Sequence, residues 1–161
     1  MPLAQQIIDS LDKAHHGDAW YGPSTESLLT GLTAADAARR PLGSSHSIWE
    51  LVLHLIAWQN EVGRRLGGSA PAWPEEGDWQ DIDSPNEDDW EMAKAALADS
   101  TRRLIAQLAT PWIDYAAVVG TVRSRELGTG VTIGETVLGV LQHNAYHTGQ
   151  IALLRRTLES E

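Results

Sequence analysis

Apolar residues recur at helical spacing in four long stretches of this chain, and no stretch alternates apolar and polar residues as a half-buried strand would. That periodicity predicts an all-α fold. The first stretch, about residues 2–16, sets Leu3, Ile7, Ile8 and Leu11 on one face, with Pro2 in the first turn and Gly17 behind. The second, about 47–67, opens on Ser47 and Glu50 of "SIWE", the spacing of a capping box. Ile48, Leu51, Leu55, Trp58 and Val62 form its stripe, and Gly67-Gly68 ends it. The third, about 85–109, offers Ser84 as N-cap and Pro85 as first residue, with Glu87, Asp88 and Asp89 where the helix dipole favours acids. The fourth, about 133–158, has a second capping box in Thr132 and Glu135. Four helices of this length predict a four-helix bundle, with long connections free to serve as crossovers.

The connections read differently from one another. "WYGPSTESLLTGLTAADAARRP" predicts short extra helices, capped by Ser24 and Thr33 and stopped at Gly31 and Pro41. Residues 68–84 read as an acidic linker containing Pro and Gly, and the acids from Glu75 to Glu91 as a solvated linker and helix start. Their spacing is not that of a calcium loop. Residues 111–131 are irregular, with extended character at Val118, Val119 and Val122.

The 161 residues suit a single domain, 1–161. The formal net charge of −10 argues against nucleic acid and against an anionic membrane surface, both of which need clustered Lys and Arg. No apolar run is long enough to span a bilayer, and "MPLAQQIIDSLDKAHHG" has neither a basic start nor an apolar signal core; the expectation is a cytoplasmic protein. There is no cysteine. Thiolate metal sites and a cysteine nucleophile are thereby excluded, and any thiol chemistry must bring its thiol from outside.

The chemistry-bearing feature is "LQHNAYHTGQIALLRR", where His143 and His147 stand four residues apart. With His143 at zero on a wheel of about 100° per residue, His147 falls near 40°, beside Leu154 near 20° and Ile151 near 80°. Both imidazoles therefore sit on the apolar face. His54 lies at the margin of the second helix's stripe, near its middle. If those two helices pack side by side, three rings converge. Burying three unpaired imidazoles is costly, and one divalent ion satisfies all three nitrogens. A single buried histidine bonded to a carbonyl or a water is the commoner arrangement; three on two facing stripes favour a metal.

Other residues carry less. Glu61, two turns after His54, reads as a surface carboxylate, with a base beside the metal as the alternative. Asn144 either orients a ligand or bonds across the bundle. His15, His16 and His46 lie at helix ends and read as exposed. Trp49 and Trp58 read as core; Trp20, Trp73, Trp79 and Trp112 sit in connections, capping the bundle or lining a pocket mouth.

"SIWELVLHLIAW" and "LQHNAYHTGQIALLRR" resemble the DinB/YfiT-like family of metal-dependent enzymes, whose pattern is a His in the second helix and HxxxHxGQI-type spacing in the fourth. Gly149 and Gln150 fit the end of that pattern, and "AWYGPS" at 19–24 is similar to a segment of close relatives. The resemblance covers nearly the whole chain. It implies an up-down-down-up four-helix bundle and a metal triad of His54, His143 and His147, with homodimers frequent among relatives. It also implies chemistry with low-molecular-weight thiols such as bacillithiol, mycothiol or glutathione, used by characterised transferases and isomerases.

Nitrogen ligands suit zinc, nickel, iron or cobalt. Three readings follow: a thiol-dependent S-transferase-like metalloenzyme acting on a small molecule, a metal-dependent hydrolase, and a non-catalytic protein that binds a metal or small molecule.

Overall fold

The computed structural model describes residues 3–43 and 45–160. The chain runs α1 (Leu3–His16), α2 (Thr25–Leu29), α3 (Ala34–Ala38), α4 (Ile48–Leu66), α5 (Glu87–Leu108), β1 (Val118–Ser124), β2 (Thr129–Thr132) and α6 (Ile133–Glu159). All four long helical stretches are helices within two residues of their expected ends. The first-turn reading of Pro2 lies outside the described residues. No helix among the described residues is long and apolar enough to cross a membrane.

Local chemistry sets most of the boundaries. Both capping boxes form: Ser47 with Glu50 at α4, and Thr132 with Glu135 at α6. Ser24 and Thr33 cap α2 and α3 as expected. At α5 the expectation fails. The cap is Asn86, whose side chain accepts from the Asp89 N–H at 3.0 Å, and Ser84 and Pro85 stay outside the helix. Asn is at least as good an N-cap as Ser, and it stands three residues before Asp89, the right distance to reach a free N–H of the first turn.

The four long helices close a ring in which α4 packs on α5 and α6, and α1 packs on the same two. Along α4 and α5, Trp49 meets Trp90, Gln59 meets Ser100 and Thr101, and Gly63 meets Gln107. One core cluster holds Leu51, Leu55, Trp90, Leu97 and Ile151; a second holds Ile7, Leu11, Leu104, Leu108, Val137 and Val140. Buried polar residues are paired across helices as well. Gln59 Oε1 accepts from Ser100 and Thr101, and the Thr25 and Thr148 hydroxyls bond at 2.8 Å.

The irregular stretch before α6 is a hairpin, the one feature the apolar pattern did not show. β1 and β2 pair antiparallel, Val119 opposite Val131 and Ser124 opposite Thr129, with an irregularity between. Gly130 takes φ +71°, and a Cβ there would lie 2.7 Å from Arg123 Cα, so only glycine fits the crossing. The hairpin is tied to the start of α6: the N–H groups of Ile133 and Gly134, unsatisfied within their own helix, donate to Ala117 O and Tyr115 O.

Candidate metal centre

His54 lies midway along α4, and His143 and His147 midway along α6; the packing of these helices brings all three rings together. His54 Nε2 and His143 Nε2 are 3.0 Å apart, and one nitrogen from each ring lies within 4.8 Å of the others. The three form a group able to hold a metal ion. His54 and His147 are buried and His143 is half-buried.

Hydrogen bonds fix two of the tautomers. His54 Nδ1 faces the Asp78 carbonyl oxygen at 2.8 Å, which only accepts, so the proton is on Nδ1 and the Nε2 lone pair is free. His147 Nδ1 donates to Gln150 Oε1 at 2.6 Å, leaving its Nε2 free in the same way. These are the outer contacts that orient metal-binding imidazoles. Burial pushes all three rings below the usual histidine pKa, His143 to about 3 with its two neighbours adding to the effect. The rings are neutral and carry the lone pairs a metal needs.

His143 provides the test of fit. Its Nδ1 and the Asn144 Oδ1 are both buried with no hydrogen-bond partner. Without an ion, His143 Nε2–H must donate to the His54 lone pair, which leaves a bare lone pair on the buried Nδ1. Were Nε2 to hold a cation, the ring's proton would sit on Nδ1, as a donor for the neighbouring Asn144. One nitrogen of each ring lies within 4.8 Å of the other two, close enough that one ion could be held by all three. The residues present fit a divalent ion.

The acidic connection between α4 and α5 is exposed over most of its length, as expected of a solvated linker, but Asp78 and Trp79 are not free of the bundle. Asp78 Oδ1 accepts from Trp58 Nε1 at 2.7 Å and lies 3.2 Å from His54 Nδ1. Trp79 stacks on His54 with centroids 3.9 Å apart, and its other face stacks on His46 at 3.5 Å. The segment is a strap across the triad. A Trp-rich acidic stretch was its only trace in the sequence.

Glu61 is not a surface carboxylate either: it is 2 % exposed. Its Oε1 accepts from Arg65 Nε at 2.8 Å and from the Ala72 N–H at 2.9 Å, and its Oε2 from Arg64 Nε at 3.1 Å. Arg65 reaches on to Leu127 O at the hairpin tip and to Ala72 O in the strap. The pair anchors both segments to α4. His15 also departs from expectation; it is buried, and burial lowers its pKa to about 4. His16 is exposed as expected, whereas His46 is half-buried in the stack on Trp79.

Trp49 is core, but Trp58 is not; with Trp73 it lines a cavity of about 650 Å³ that reaches the triad. Val62 and Val140 add apolar wall, and residues 125–128 of the hairpin turn border it. Trp20 and Trp112 are exposed.

The buried neutral histidines give the metal-free protein a definite pH response. A ring whose folded pKa lies below 6.5 is protonated first in the unfolded chain, so it costs stability as pH falls below 6.5 and costs nothing above. His15 alone contributes on the order of 3 kcal/mol by pH 4, at about 1.4 kcal/mol per pH unit. Urea midpoints measured in chelator should be level above pH 7 and fall steadily from 6.5 to about 5.5, before most carboxylates begin to titrate. A level profile across that window would contradict the buried, neutral assignment.

No curated protein and no solved structure matches the chain. A family model does: that of the DinB superfamily, over residues 23–151, a span that contains all three histidines and most of the chain. With its helical fold and its histidine cluster, the chain belongs to the DinB superfamily.

Proposed function

We propose that His54, His143 and His147 bind one divalent ion, and that the protein is a thiol-dependent S-transferase-like metalloenzyme acting on a small molecule. The observation that carries the reading is the convergence of three neutral imidazoles, those of His54 and His147 braced from outside, on a cavity large enough for a small ligand. Three protein ligands leave a coordination position open. A bound ion supplies one thing here: it holds an exogenous thiol ionised at neutral pH. The chain has no cysteine to compete for that position.

Three carboxylates line the cavity, and two of them are committed elsewhere. Asp78 is committed to Trp58 and His54, and Glu135 to the cap of α6. The third, Glu126, is exposed on the hairpin turn. A metal would ionise a bound water near neutral pH much as it would a thiol, so the hydrolase is the second reading and the cobalt titration separates the two. The helix directions implied by the family, up-down-down-up, belong to this reading. They are supported by the α4–α5 contacts, whose residue numbers rise together, and by α4 and α6, where Leu51 and Leu55 cluster with Ile151 but Val62 with Val137 and Val140, so that numbers run oppositely.

Cobalt substitution tests the reading. Titrating the cobalt protein with low-molecular-weight thiols should produce a sulfur-to-metal charge-transfer band. If no thiol perturbs the cobalt spectrum while esters or amides turn over, the protein is a hydrolase. If neither happens, it is a binding protein.

A further inference from the structure

Mid-helix glycine costs about 1 kcal/mol relative to alanine, so an unforced one calls for a reason. Gly139 stands one turn before His143 in α6, and a Cβ built on it meets nothing within 4 Å. Gly63 and Gly134 are different: a Cβ there would lie 2.9 Å from Gln107 and 3.2 Å from the Tyr115 carbonyl, so packing explains them. Gly149 is open like Gly139, but only Gly139 lines the cavity that reaches the triad. There the glycine leaves α6 bare: Gly139 is exposed at the open side of that cavity, one turn of helix from His143.

The walls facing that space are mainly apolar. Trp58 and Trp73 meet edge to face, their centroids 6.0 Å apart at 68°, and Val62, Val131 and Val140 add aliphatic surface. Indole faces and edges offer their best contacts to a flat partner. Arg65, the buried cation on this lining, is consumed by Glu61, Ala72 and Leu127, so it does not call for an anion.

We propose that Gly139 is the specificity-determining position of the site, holding open a slot along the α6 backbone in which a flat apolar group, aryl or conjugated alkenyl, lies beside the Trp58 and Trp73 walls with its reactive end at the triad. The inference deepens the metal-dependent reading and depends on it only for the last clause; the slot itself exists without an ion. Gly139 is a shape-setting residue and touches no reacting atom. A side chain of alanine size narrows the slot, and one of leucine size fills it. Neither strains the helix, whose stability alanine should raise.

Two measurements keep the slot and the metal apart. In metal-free protein, ligand-observed NMR with benzyl alcohol reads the slot alone. Saturable binding is expected in the wild type, with loss of at least tenfold in affinity in Gly139→Leu. In cobalt-loaded protein, benzyl mercaptan, 1-hexanethiol and 2-mercaptoethanol are titrated against the charge-transfer band. Burying one ring predicts that benzyl mercaptan binds about tenfold or more tighter than 2-mercaptoethanol. Gly139→Leu should erase that preference while leaving cobalt stoichiometry and 2-mercaptoethanol binding in place, and Gly139→Ala should weaken benzyl mercaptan while raising Tm. Equal binding of benzyl mercaptan and 2-mercaptoethanol, or a preference that survives Gly139→Leu, overturns the proposal. If 1-hexanethiol binds as tightly as benzyl mercaptan, the flat-ligand assignment is overturned. Failure of cobalt to bind at all, with benzyl alcohol still displaced by Gly139→Leu, would reject the metal reading and uphold the slot.

Discussion

Replacing His147 with Ala should reduce bound metal from one ion per chain to almost none, and with it the stability that the metal confers. An ion that binds only the folded chain stabilises it by RT ln(1 + [M]/Kd), about 2.7 kcal/mol at one hundred times Kd. The wild type should therefore melt several degrees higher in excess zinc than in chelator, whereas the His147→Ala protein should melt at the same temperature in both. The difference between two metal conditions is the readout, because deleting a buried ring also leaves a cavity and frees Gln150, which changes stability without any metal. Metal analysis and paired melting curves settle it: unchanged stoichiometry and an unchanged zinc shift in His147→Ala would reject the triad.

Glu61→Ala should be the most destabilising single change outside the apolar core. It would leave the Arg65 guanidinium buried with no carboxylate, and a buried charge stripped of its partner costs about 3–5 kcal/mol. In a chain of this size that is roughly 10 °C in Tm. The same change removes the acceptor for the Ala72 N–H and loosens the guanidinium that holds Leu127 O, so the strap and the hairpin should both exchange amide protons faster. Glu61→Gln keeps an oxygen acceptor and the shape, and should cost clearly less. Thermal melts of the two variants, with hydrogen exchange at residues 70–80 and 125–129, check the ordering. Equal melting of Glu61→Ala and wild type would show that the ion pair does not anchor these segments.

Both sites combine what is visible along the chain with what is not. The HxxxH pair on α6 is a local fact: four residues is about one helical turn, so His143 and His147 share a face in any helix containing them. The capping boxes at Ser47 and Thr132 are equally local, since three residues is the reach of a side chain to a free N–H, and both formed where the sequence placed them. The one misplaced helix start, at Asn86 rather than Ser84, came from choosing between two good caps two residues apart, a choice that sequence alone leaves nearly balanced.

The sequence by itself determined the four long helices, their apolar faces and the three histidines on those faces, because each depends on contacts within a turn or two of backbone. Only the tertiary structure decided the rest. Asp78 and Trp79 reach His54 from a segment more than twenty residues away, and no period or cap marks them for it. Glu61 and His15 are buried because the strap, the hairpin and the neighbouring helices cover them, although each follows an amphipathic pattern that permits exposure. The hairpin escaped the apolar pattern because one strand is short and the pairing is irregular, held by α6 and Arg65 as much as by its own ladder. Burial is a property of what lies on top of a residue, and covering elements arrive from elsewhere in the chain, whereas periodicity and caps are written in consecutive residues.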